Sequence, residues 1–485
     1  MTYTDLLFQL VVHLGLLTKA SGWKFAEHAS KGGPLGELVQ WSDILATLYI
    51  LGHDVVVTSE VEQLASLING LPTAFSSCQV RTSIPVDLMF TDIVGLIQFK
   101  RKVKNGYGKF SCLLRIIDSF GTEPAFNYMP YAKHHSKSQW GMHNLHPQQF
   151  FTMFPHSPDN SFMGFVVEQH LLQTKLASVQ RKNQAVVYGK ALYMWQGKDS
   201  YLNSFKDLLE VHGTVFVNKP SDNILPSFVH NHGILKGPEL QQLLRESKVF
   251  VGLGFPYEGP GPLEAIAQGC VFINPRFSPP HSSQNVKFFK GKPTRRSLAS
   301  QHPYAEDFIG MPHVYTINID NATEVRIAVK KAIAAVDAHE VQPYMPYEFT
   351  EEGMLQRVNT YISHQDFCTQ LKSPWVPHES VQFILSRAGQ SCKSACMQKG
   401  RICEPSYFNE LNNQAVLEKH IGKTCGSVKY TEDIFYPAYL ATQNECLMQK
   451  QPMLFSCVGE RPDVMRLCPC RDFIKGQMAL CQRCL

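Results

Sequence analysis

The sequence predicts an α/β protein with two parallel-sheet units in tandem, a cleft between them, and a cysteine-rich, disulfide-bonded C-terminal region. Three observations carry this. Short apolar runs alternate with helically spaced segments through two successive stretches, the pattern of a parallel α/β layer. A Gly/Pro loop joins a strand to a helix in the second stretch. Eleven of the 14 cysteines fall between Cys368 and Cys484. At ~150 residues per domain, the 485 residues divide into roughly three parts, placed at 1–183, 184–345 and 346–485.

The elements follow in order. The apolar stretch Leu6 to Leu17 is shorter than the ~20 residues of a membrane span, contains Gln9 and His13, and lacks a basic leader; it reads as a core helix. Gly32-Gly33-Pro34-Leu35-Gly36 is a loop. Glu37 to Leu51 carries helical spacing at Leu38, Trp41, Ile44, Leu45 and Leu48, and Asp54–Thr58 is a strand. Further apolar runs lie at Leu88–Phe90, Leu113–Ile117 and Phe162–Val167. In the second unit, Ala185–Tyr188, Thr214–Val217, Val249–Leu253, Val271–Ile273 and His313–Ile317 read as strands. Glu239–Leu244, Pro262–Gln268 and Ala322–Ala335 read as helices. Two such units leave a cleft where ligands of α/β folds usually bind.

Composition excludes several classes. With 44% apolar and 18% charged residues, disorder is not the main state. A net charge of +5, with no run of more than two basic residues beyond Lys100–Lys102, is too small and too dispersed to argue for a nucleic-acid partner. The dense C-terminal cysteines read as a disulfide framework formed in an oxidising compartment. Cys468-x-Cys470 and Cys481-x2-Cys484 also have the spacing of a four-cysteine zinc site. Metal needs reduced thiolates, so disulfides are preferred. Asn321-Ala-Thr323 is a glycosylation sequon. An export-type chain without an export signal implies that N-terminal residues are missing, and Cys78 has its expected partner there.

The strongest local signal runs from Gly252 to Gly269, where a strand enters a Gly/Pro loop that opens a helix carrying Glu258, Gly259 and Glu264. A helix start offers free N–H groups and a positive dipole end to phosphate. A carboxylate in its first turn suits a ribose hydroxyl pair. This loop resembles the nucleotide-sugar loop of GT-B glycosyltransferases. Gly36-Glu37-Leu-Val-Gln-Trp-Ser-Asp43, Asp118-Ser-Phe-Gly-Thr-Glu-Pro124, Phe255-Pro-Tyr-Glu-Gly-Pro260 and Cys468-Pro-Cys-Arg-Asp-Phe-Ile-Lys-Gly-Gln477 are similar to the N-acetylglucosaminyltransferase V family, from about residue 6 to the end. The brain-type B form is the isozyme expected.

The resemblance implies a GT-B fold of two Rossmann-like domains: an acceptor domain (1–183), a UDP-sugar domain (184–345), and a returning helix with the cysteine-rich tail (346–485). It implies an inverting, metal-independent transfer of N-acetylglucosamine (GlcNAc) from UDP-GlcNAc to the 6-hydroxyl of an α-linked mannose in glycoprotein glycans. UDP-GlcNAc is a co-substrate, and no cofactor is expected. It further implies a Golgi enzyme whose full-length form has a membrane anchor that this chain lacks. The sequence contains no Asp-x-Asp, the usual carboxylate pair for UDP–Mn²⁺. Glu37 maps to the catalytic base, although on the sequence alone it reads as an ordinary first-turn glutamate. Glu258, Gly259, Glu264 and the cationic Lys292 map to the donor site; Asp118, Phe120 and Trp140 map to the acceptor site. The implied disulfides are Cys112–Cys368, Cys392–Cys468, Cys396–Cys470, Cys403–Cys457, Cys425–Cys446 and Cys481–Cys484, with Cys270 a free core thiol.

Two other readings stand beside this one. One is a catalytically inactive glycan-binding protein of the same fold, disfavoured by the presence of both Glu37 and Lys292. The other is a retaining GT-B enzyme. Such enzymes usually space the loop glutamates by about eight positions, whereas Glu258 and Glu264 lie closer together.

Overall fold

The computed structural model describes residues 8–29, 31, 33, 35–69, 86–103, 107–167, 180–219, 223–368 and 375–485. Cys78, Gly32 and Pro34 lie outside the described residues. No helix among the described residues is long and apolar enough to cross a membrane.

The first unit is a parallel sheet of strands β1 (Gln9–His13), β2 (Asp54–Thr58), β3 (Leu88–Asp92), β4 (Leu114–Ile117), β5 (Phe150–Thr152) and β6 (Ser161–Phe162), in the order β2-β1-β3-β4-β5-β6. Where a core helix was expected over Leu6–Leu17, the described residues from 8 onward form a strand followed by a short 3-10 turn. Leu10-Val11-Val12 is rich in β-branched residues and buried on both faces of a parallel sheet. A strand in that setting shows a continuous apolar run rather than alternation.

The Gly36–Ile50 helix buries Trp41, Ile44 and Leu48, one stripe of the expected spacing. Full burial of each such side chain stabilises the fold by roughly 1.5–3 kcal/mol. The Glu351–His364 helix, far along the chain, returns to the same core. Its Met354, Val358, Tyr361 and Ile362 pack with Leu10, Val12 and Trp41.

The second unit has parallel strands β7 (Lys182–Tyr188), β8 (Glu210–Gly213), β9 (Val229–Asn231), β10 (Ser247–Gly252), β11 (Val271–His281) and β13 (Val314–Ile317). The strand β12 (Leu298–Ser300) adds antiparallel to β11. The strand expected at Thr214–Val217 lies earlier, at Glu210–Gly213. Val211 is fully covered between β7 and β9, and Val215 is buried just past the strand end.

A third, mostly antiparallel sheet runs from Val381 to Arg471. Six disulfides are closed: Cys112–Cys368, Cys392–Cys468, Cys396–Cys470, Cys403–Cys457, Cys425–Cys446 and Cys481–Cys484. The four cysteines with zinc-like spacing are thus committed to other bonds. Cys270 is free and buried. Arg357 on the returning helix donates to Gln477 at 2.7 Å, and the Asp159 carboxylate accepts from Ser456 and Cys457, so the tail is anchored to the first unit.

Candidate active site

The C-terminal ends of both parallel sheets open onto one cavity of about 1210 Å³. Glu37, Phe120, Glu258, Gly259, Glu264 and Lys292 all line it. Asp118, Trp140 and Asn321 do not.

Glu37 sits in the first turn of the Gly36–Ile50 helix, whose N-cap residue Leu35 supplies no side-chain cap. The helix start therefore keeps free N–H groups next to the carboxylate. A Cβ on Gly36 would lie 3.3 Å from both Met153 Cε and Pro260 Cδ, so the two units meet closely beside Glu37, and glycine permits it. Burial pushes the Glu37 carboxyl above the ordinary glutamate value; its own backbone N–H and the Lys292 charge pull it part of the way back.

Lys292 belongs to the second unit, and its Nζ lies 3.4 Å from the centroid of Phe120 and 4.3 Å from that of Phe288. Burial lowers its pKa to about 8, against the pull of Asp118 and Glu37. Glu123 explains why it is there. The Glu123 carboxylate accepts from Thr294 Oγ1 (2.6 Å) and Arg295 N–H (2.9 Å), and its own N–H donates to the Pro293 carbonyl (3.0 Å). The Asp118–Pro124 motif of one unit thereby clamps the Lys292 loop of the other.

Glu258 has φ +48°, in the left-handed region, and is buried. Arg296 Nη2 donates to both of its carboxylate oxygens (2.8 and 2.7 Å), and His156 Nδ1 lies 3.1 Å away. Burial alone would raise the Glu258 pKa, but Arg296 and His156 overcome it and hold the carboxyl well below the usual range. The Glu258 carboxylate is therefore committed to an internal ion pair. The bonds to Arg296 and His156 leave its backbone, rather than its charge, to shape the donor loop.

Gly259 packs on Tyr188, and its carbonyl accepts from His302 Nε2 at 3.2 Å. Glu264 is half-buried in the first turn of the Gly261–Ala267 helix, where its charge favours protonated Lys190.

Asp118, expected to meet sugar hydroxyls, turns its oxygens into its own loop. Thr122 Oγ1 donates to it at 2.7 Å and Phe120 N–H at 3.4 Å. Trp140 stands behind Trp23, edge-to-face at 6.1 Å. Asn321 is exposed and caps the Ala322–Asp337 helix. Its Oδ1 accepts from the Thr323 and Glu324 N–H groups, so the amide nitrogen takes no part in the cap.

Sequence reasoning missed Trp23, Asp43, Tyr188, Lys190, Arg296 and Glu123. Burial raises Asp43 to about 6 even though it accepts from Val166 N–H at 2.7 Å, with Glu264 and Glu351 adding to the rise. Among the described residues, one group of three side chains has metal-ligand spacing: Glu418, Cys425 and Cys446. Its two sulfurs form a disulfide.

The family model described as glycosyltransferase family 18 matches residues 6–470. Alpha-1,6-mannosylglycoprotein 6-beta-N-acetylglucosaminyltransferase A of Cricetulus griseus is 51% identical over 481 residues, covering 98% of this chain and 64% of that protein. The B form of Homo sapiens is 46% identical over 515 residues, with the same coverages. The Caenorhabditis elegans enzyme is 37% identical over 496 residues, covering 98% of this chain and 72% of that protein. These identities do not single out the B form. The chain spans about two thirds of the length of these relatives.

Proposed function

This chain belongs to glycosyltransferase family 18, and from that premise we propose that it transfers N-acetylglucosamine from UDP-GlcNAc to the 6-hydroxyl of an α-linked mannose of a glycoprotein glycan, with inversion. The observation that carries this is the pairing of Glu37 and Lys292 across one cavity, one from each unit and each within the other's field. Glu37 takes the proton of the mannose 6-hydroxyl as that oxygen attacks C1 of the donor sugar. The C1–O bond to UDP breaks on the opposite face, and the product is β-linked. The Lys292 ammonium balances the charge gathering on the departing diphosphate, which is the role a divalent ion would otherwise fill.

A carboxylate with a raised pKa, freed from any guanidinium, suits a base; a lysine held near pH 8 by burial remains charged at neutral pH. The six disulfides suit the oxidising lumen of the Golgi as the site of action. The test is transfer from UDP-GlcNAc to a synthetic GlcNAc-β1,2-mannose acceptor in EDTA, with the linkage read by NMR. A β1,6 product at full rate is expected. Loss of activity that Mn²⁺ restores contradicts metal independence, and an α-linked product contradicts inversion.

A further inference from the structure

We propose that Asn321 carries an N-linked oligosaccharide, attached as the chain passes through an oxidising lumen. The proposal goes beyond the transferase reading and does not rest on it. Asn321-Ala-Thr323 is the one Asn-x-Ser/Thr in the sequence. All three of its residues, and Asp320 before them, are exposed, at the turn between the Val314–Ile317 strand and the Ala322–Asp337 helix. None of them lines the cavity.

The helix cap explains Asn321 but not Thr323. Asn321 Oδ1 accepts from the Thr323 and Glu324 N–H groups, both at 3.1 Å, and asparagine is among the best residues for that position. Thr323 contributes only its backbone N–H to this arrangement. Its hydroxyl makes no hydrogen bond among the described residues. A β-branched residue is also a weaker helix former than alanine, so neither the helix nor its cap asks for threonine there. An attachment signal does ask for a hydroxyl two residues after the asparagine.

The cap also decides which end of the amide is left over. Oδ1 serves the helix, and among the described residues nothing accepts from Nδ2. In the attachment, Nδ2 bonds to C1 of an oligosaccharide carried on a lipid diphosphate. The C1–O bond to the diphosphate breaks, the lipid diphosphate leaves with the electron pair, and Nδ2 gives up one proton. The product is still an amide, and its Oδ1 keeps both bonds to the helix. The fold therefore holds the modified residue without losing a contact. The six closed disulfides independently place the chain in the kind of compartment where this donor is found.

The test expresses the chain behind a cleavable export signal in cultured animal cells, with lysate and medium both probed before and after peptide-N-glycosidase F. One step of increased mobility after the enzyme is expected for the wild type and for Thr323→Ser. Mass spectrometry of the treated protein is expected to find aspartate at position 321. Thr323→Ala keeps the capping asparagine, and Asn321→Asp caps about as well. Both are expected to run at the deglycosylated position and to show no step, with thermal midpoints close to that of the treated wild type. Loss of the step then reports the attachment and not a failure to fold. A signal-cleaved, disulfide-closed wild type with no step overturns the proposal, as does a step that survives in Thr323→Ala. A glycosylated protein that transfers nothing defeats the transferase reading alone.

Discussion

The two loop-to-helix corners that face each other across the cavity are built alike and carry opposite chemistry. In the first unit, a Gly loop opens the Gly36–Ile50 helix and presents Glu37; in the second, a Gly/Pro loop opens the Gly261–Ala267 helix and holds Glu258. Both carboxylates lose hydration at the cavity, Glu258 buried and Glu37 half-buried. Glu258 has the Nη2 of the Arg296 guanidinium on both its oxygens and an imidazole within hydrogen-bond reach, so burial is more than offset and its charge is locked in. Glu37 meets its counter-charge only through the field of Lys292, so burial dominates and the group becomes a stronger base. The partner, rather than the depth, decides whether a buried glutamate serves the fold or the reaction.

The comparison is broken most directly at its reactive end. Glu37→Gln is expected to lower kcat by about 10²–10⁴, with UDP binding by calorimetry unchanged. If binding and turnover fall together, Glu37 is structural. Lys292→Ala is expected to lower kcat by about 10²–10³, measured with donor saturating. The same pair sets a bell-shaped pH profile. Activity falls as pH drops through the raised Glu37 pKa, because the base must be ionised, and falls again as pH rises through about 8, because Lys292 must be protonated. A profile flat across pH 8 detaches Lys292 from the chemistry.

At the structural end, Arg296→Ala strips the buried Glu258 of its main partner and is expected to cost about 3–5 kcal/mol, seen as a lowered thermal midpoint. The signs with pH differ between the two glutamates. The folded pKa of Glu258 is depressed, so its contribution is present above the ordinary value of 4.5 and lost as pH falls below it. The folded pKa of Glu37 is raised, so its ionisation opposes folding above 4.5. The smallest effect is at Asn321, where Asn321→Ala removes the helix cap at about 1 kcal/mol.

How much of this was legible in the sequence follows from the range of each interaction. Helix Gly36–Ile50 and strand Ser247–Gly252 were readable because their apolar spacing is local. The Gln9–His13 strand was not, because a strand covered on both faces and a core helix share one apolar signature. Glu37 and Lys292 were singled out through the resemblance of their motifs, and both line the one cavity. The roles of Arg296 and Glu123 were hidden, since each acts on a residue far along the chain: Glu258 lies 38 positions from Arg296, and Thr294 lies 171 from Glu123. Asp118 was placed at the right corner, but its bonds to Thr122 and Phe120 N–H were not legible, because a sequence does not show which way a carboxylate turns.

Glu37→Gln and Glu258→Gln, assayed side by side for turnover and thermal midpoint, test the central claim most directly. The account expects Glu37→Gln to abolish transfer with the midpoint held or raised, and Glu258→Gln to lower the midpoint through the loss of its ion pair with Arg296. A Glu37→Gln protein that still transfers, or a Glu258→Gln protein as stable as the wild type, contradicts it.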